Sequence, residues 1–182
     1  MRWIRLISVL VLAGFAGACT TRNMLPDAAG TKAMLAGNDP MSYHAGKPVP
    51  GTTAITTEWD GGQYRFASEA SRTEFLKAPQ KYAPQYGGYC SNGAPYSIML
   101  GGSATTYKIV GGRLFMFSDP TSRKYWEMDE AKNVQLGDQY WSSEMKDAWS
   151  ASVHSYRRIL FKVPHYKSGK ELEAEWQARQ KK

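Results

Sequence analysis

Apolar and polar positions change their period several times along this chain. Residues 6–12 form an almost unbroken apolar run, and small residues fill 13–18. Residues 20–36 keep no sustained period. Strand-like runs at 55–59 and 63–66 flank Asp60-Gly61-Gly62, the pattern of a tight hairpin. Ser68 suits the N-cap of a helix over 69–77, which Pro79 ends. Phe75 and Leu76 are expected to pack that helix on the hairpin. A second hairpin is expected from 105–110 and 113–117 around Gly111-Gly112. Asp119-Pro120 opens a helix through about residue 132, with Trp126 and Met128 as apolar anchors. From about 138 to 162, Trp141, Met145, Ala148, Trp149 and Ser152 recur at three and four, and Tyr156, Ile159 and Leu160 extend the series. That spacing predicts one longer helix, broken at Pro164. Ser168 and Glu171 have the spacing of a capping box for a last helix ending in Arg179, Lys181 and Lys182. No internal repeat shows in the sequence. The expected fold class is α+β: a small hairpin-plus-helix unit, a second hairpin and a helical C-terminal extension.

The first residues change the picture of where the chain resides. Arg2 and Arg5 precede the apolar run, which is far shorter than the roughly 20 residues that span a bilayer. Residues 1–18 are therefore expected to be a secretory signal. Ala16-Gly17-Ala18-Cys19 resembles a bacterial lipobox, with Cys19 as the lipid-bearing residue. Thr20 follows where an inner-membrane protein would carry Asp, which points to the periplasmic face of the outer membrane. An ordinary signal cut nearby would instead leave a soluble periplasmic protein. Residues 19–36 are expected to be a flexible tether after the anchor.

Charge and cysteine count narrow the rest. About 164 residues remain after residue 18, one domain's worth. Loss of Arg2 and Arg5, with no acidic residue before Cys19, lowers the net charge from +7 to +5. Mild basicity suits a surface near anionic lipid. An exported chain without a recognition motif is not expected to bind nucleic acid. With Cys19 acylated, Cys90 is left without a disulfide partner, so it is buried, bound to something or reactive.

The segment from Gly37 to Cys90 carries the most specific signal. It holds NDPMSYHAGKPVPG, WDGGQYRFAS and SRTEFLKAPQKYAPQYGG in order and closes on Tyr89-Cys90. Over these roughly 54 residues the chain resembles the YHS domain family, in particular its secreted bacterial members. The resemblance extends to about residue 141, giving a YHS-like domain over 37–141 and a helical extension over 142–182. It implies metal chemistry, because the modules attached to copper-transporting ATPases bind metal through Asp-Pro-x-Cys-Gly and Phe-Cys-x-x-x-Cys. The corresponding residues here are Ser42, Ala67 and Ser71, none of them a soft ligand.

Two ligating side chains remain in this region, His44 and Cys90, which together suit a transition metal ion such as copper or zinc. Tyr86, Tyr89 and Tyr96 suggest an apolar ligand pocket with Cys90 at its wall. The expected function is a non-enzymatic binding module for a metal ion or small ligand near His44 and Cys90. Two alternatives stay open: a structural or partner-binding lipoprotein with Cys90 buried, and a thiol-dependent redox protein. A cysteine enzyme would need His44, His154 or His165 as its base, and none lies in a recognisable context. Catalysis is not the favoured reading. The basic tail (Arg157, Arg158, Lys162, Lys167, Lys170) is a candidate surface for a protein partner.

Overall fold

A computed structural model describes residues 21–181. The expected signal, residues 1–18, and Cys19 lie outside them. The expected tether does not behave as one over its described part. β1 (Leu25–Pro26) pairs antiparallel with β2 (Lys32–Ala33), and a 3₁₀ turn follows at Met34–Gly37. Ala33, Met34 and Leu35 are buried. Asp27 forms an ion pair with the buried Arg65. Burial of Met34 and Leu35 favours order by about 1.5–3 kcal/mol each, and the β1–β2 pairing and the Asp27–Arg65 pair add to it against the entropy of ordering the segment.

α1 (Pro40–His44) starts at Asp39, whose carboxylate caps it and whose successor is Pro at the first helical position. β3 (Thr52–Trp59) and β4 (Gly62–Phe66) form the first hairpin, and α2 (Glu69–Lys77) follows with Ser68 accepting from Ser71 N. Phe75 is fully buried, but Leu76 is half exposed on the outer side of α2. After α3 (Pro79–Tyr82), the chain makes 3₁₀ turns at Gln85–Gly88 and Ala94–Tyr96. β5 (Ser103–Val110) and β6 (Arg113–Phe117) form the second hairpin, and α4 (Pro120–Glu127) follows with Asp119 accepting from Ser122 N. Among the described residues the architecture is α+β, with small antiparallel two-stranded sheets among the helices.

The two hairpin-helix units are one design built twice. Thr52 pairs with Phe66 and Thr56 with Arg65, so the register jumps between them. Ser103 pairs with Phe117 and Tyr107 with Met116, the same jump 51 positions on. The caps Ser68 and Asp119, and the turns Met34–Gly37 and Gln85–Gly88, keep that spacing. Leu35 and Ala36 take positive φ in the first turn, as Tyr86 and Gly87 do in the second. Asp39 N donates to Val49 O at 2.9 Å, and Cys90 N to Leu100 O at 2.8 Å. The aromatic packing repeats too. Phe75 sits 5.0 Å from Tyr64 and 5.2 Å from Phe66, while Trp126 sits 5.2 Å from Phe115 and 5.3 Å from Phe117. An internal repeat is thus present where the sequence shows none. Matching backbone hydrogen bonds and aromatic size preserve it while most side chains differ.

β6 divides the interior. Leu114 and Met116 pack with Leu35 and Tyr43 on one face. Phe115 and Phe117 pack with Cys90, Tyr86 and Trp126 on the other, as strand alternation requires. The helical region departs from its expected layout. α4 ends before Asp129, α5 (Glu130–Tyr140) runs into a π turn at Trp141–Met145, and α6 (Ala151–Leu160) is a separate helix. Ser150 caps α6, and a cap residue there breaks the single helix that periodicity predicts. α7 (Gly169–Gln180) opens with the capping box of Ser168 and Glu171.

Candidate functional site

Asp39 is the best-connected polar side chain in the first unit. It is 2 % exposed. Its Oδ1 accepts from Met41 N at 2.9 Å. Its Oδ2 accepts from Ala67 N at 2.9 Å and from Ser71 Oγ at 2.5 Å. Ser42 Oγ donates to the Asp39 carbonyl at 2.5 Å and accepts from Val49 N. Ser42, Ala67 and Ser71 are the three positions at which the resembling ATPase modules carry thiolates. The fold gathers them around Asp39, with Ala67 and Ser71 on its carboxylate and Ser42 on its backbone carbonyl. A buried acid with three donors is satisfied without a cation.

In the second unit the counterpart of Asp39 is Cys90. It is 1 % exposed and packs among Tyr86, Phe115, Phe117 and Trp126. Its Sγ lies 3.5 Å from Ser118 Oγ, the counterpart of Ala67, and Ser118 is 2.7 Å from Ser122 Oγ, the counterpart of Ser71. A small apolar thiol thus replaces the carboxylate, and the hydroxyls turn to Asp119. This is the environment of a core cysteine.

His44 is placed elsewhere. It ends α1, and its ring packs edge-on against Tyr82 at 5.2 Å. Burial is the main cause that holds its pKa below 6.5. α1 packs through Tyr43 on the Leu114/Met116 face of β6, whereas Cys90 lies on the Phe115/Phe117 face. The structure does not join the two expected ligands in one hydrogen-bonded or packed group. Among the described residues no group of three or more His, Cys, Asp or Glu could hold a metal ion. The other histidines also turn away from Cys90. His154 Nε2 lies 2.9 Å from Ser97 Oγ, and His165 Nε2 lies 2.7 Å from Pro95 O.

The three tyrosines separate in the same way. Tyr86 and Tyr89 belong to the core around Cys90. Tyr86 Oη reaches Asp138 Oδ1 at 3.1 Å, and burial raises its pKa strongly. Tyr96 instead lines a cleft of about 250 Å³ with Tyr125, Asp129, Lys132, His165 and Tyr166. Burial and the nearby acid Glu175 push its pKa up to about 12. Sequence reading missed this cleft because its walls come from three distant segments.

The comparisons with known proteins agree with the first unit. Residues 41–86 match the family model of the YHS domain, and the chain carries a YHS domain there. No curated protein and no solved structure matches the chain.

Proposed function

We propose, for a chain with a YHS domain over residues 41–86, that this is a non-catalytic lipoprotein held at the periplasmic face of the outer membrane. It works through its surfaces, with Cys90 as a packing residue. One observation carries the reading: the Cys90 thiol is sunk in an aromatic core with Ser118 as its hydrogen-bonding neighbour, while His154 and His165 bond to the 95–97 loop and the His44 ring packs on Tyr82. A nucleophile needs an adjacent base and access to substrate, and neither is offered here. The lipobox-like run before Cys19 supports the anchor.

The test is alkylation of Cys90 in the folded protein with iodoacetamide, with and without added zinc or copper. The expected result is a thiol that reacts only after unfolding in urea, whether or not metal is present. Rapid native alkylation would support the redox alternative, and near-stoichiometric metal lost on Cys90→Ser would restore the metal-binding one. Mass spectrometry of the N-terminal peptide checks the acylation of Cys19.

A second reading is favoured by the Tyr96 cleft. Its tyrosines and His165, rimmed by Asp129, Lys132 and Lys167, suit a small ring-bearing ligand with both charges. Small-molecule mass spectrometry on the purified protein, beside Tyr96→Ser, checks it: a compound retained by the first and lost from the second supports a ligand.

A further inference from the structure

α6 is built inside out. At about 100° per residue, Val153, Tyr156 and Leu160 fall within about 60° of arc, and all three are exposed. The opposite side holds the polar residues and faces the protein. His154 Nε2 lies 2.9 Å from Ser97 Oγ, Ser155 Oγ accepts from Met99 N at 2.8 Å, and Arg158 pairs with Glu144. Of nine large apolar side chains that stay exposed among the described residues, six fall within residues 149–161. Scattered exposed apolar residues are ordinary, but a gathered patch marks a contact surface. Trp149 at 77 % and Phe161 at 69 % exposure flank the helix at its two ends.

Two further observations say what covers it. The first is where the N-terminal segment runs. Thr21 Oγ1 donates to Ala148 O at 2.5 Å, beside Trp149. Asn23 N donates to Gly87 O at 2.9 Å and Asn23 Nδ2 to Gly88 O at 2.9 Å, which pins the segment there. Thr21, the first described residue, therefore sits at the Trp149 end of the stripe. The second is charge. Lys146, Arg157 and Lys162 are exposed around the stripe, with Asp147 the one acid among them. Basic residues beside a stripe holding Trp and Tyr match the boundary between anionic headgroups and acyl chains.

We infer that α6 lies flat on the lipid bilayer as a second membrane contact, with Trp149, Val153, Tyr156 and Leu160 in the headgroup–acyl boundary. Ten residues make about 15 Å of helix, enough to lie on a membrane and too little to cross it. One acyl anchor leaves a domain free to swing, and a second contact beside it fixes which face the domain presents. The geometry of α6 stands independently, but its place beside a lipid rests on the anchored reading.

The test uses the mature protein reconstituted in vesicles of phosphatidylethanolamine with one quarter phosphatidylglycerol. A bimane label is placed at Tyr156→Cys, and a control label at Lys47→Cys in the exposed turn after α1; both sites tolerate change because they are at the surface. Lipids brominated near the headgroup are expected to quench the label at 156 several-fold more than that at 47, and aqueous iodide to do the reverse. Equal iodide access at both sites, with Cys19 acylated, overturns the α6 contact and leaves the anchor standing. An unacylated Cys19 overturns the anchor. The same labels are then read on protein added to vesicles, where lipid quenching at 156 sustains α6 and its absence overturns it. Shielding at 156 without vesicles, together with a doubled mass, shows a second copy on the stripe and also overturns the proposal.

Discussion

Asp39 and Ser71 are joined by a 2.5 Å hydrogen bond from Ser71 Oγ to Asp39 Oδ2, tying the turn into α1 to the first turn of α2. The same oxygen accepts from Ala67 N, so one carboxylate holds the end of β4, the start of α2 and the start of α1. Removing it leaves three half-buried hydrogen bonds without their acceptor. Asp39→Ala is expected to cost about 3 kcal/mol and Ser71→Ala about 1 kcal/mol. Urea unfolding of both variants checks this, and equal small losses would mean that the hub is not cooperative.

Met34 distinguishes a tether from a folded segment. It is 1 % exposed and packs with Tyr64, Phe66 and Phe75. Met34→Ala is expected to lower stability by about 2–5 kcal/mol. Residues in a free tether would give none, so the urea midpoint of this one variant decides the matter.

Gly137 sits inside α5, where alanine would ordinarily add up to about 1 kcal/mol. Here a Cβ would lie 2.5 Å from Tyr86 Oη, which is held by Asp138. Gly137→Ala is expected to destabilise by about 1–3 kcal/mol. Pairing it with Tyr86→Phe should recover part of the loss in thermal melts.

Stability should fall in mild acid. Burial holds His154 and His44 below the ordinary 6.5, so the unfolded chain takes up these protons more readily than the folded one. Their contribution is complete above 6.5 and is lost as pH falls through that value toward the lower folded pKa. The melting temperature is expected to drop between pH 7.5 and 5.0, and His154→Gln should flatten part of that slope. An unchanged slope in the variant would assign the acid sensitivity to other groups.

The parts legible in the sequence were those set by neighbours along the chain. The hairpins followed from β-branched runs around glycine pairs. Ser68, Asp119 and Ser168 each cap the helix expected of them. What was hidden depends on partners far apart. The duplication keeps Gly37/Gly88, Gly51/Gly102 and Gly61/Gly112 but exchanges Asp39 for Cys90 and Phe75 for Trp126, so it is visible only in register and packing. Periodicity marked Tyr156, Ile159 and Leu160 of α6 and passed over Val153, and it cannot tell which side of a helix faces water. His154 and Ser155 settle that by finding buried partners on the 97–99 loop. The expected pairing of His44 with Cys90 came from their nearness to one motif, and β6 stands between the faces on which their units pack.

The bond between Thr21 and Ala148 spans 127 positions, and this sets an order of events. During synthesis or passage through a membrane, the first unit has its own core once Phe75 emerges. The N-terminal segment, although first out, has no complete seat until residue 148 arrives. Until then it is an open end that another molecule can grip. Closure of this contact reports that the chain has been delivered as far as residue 148.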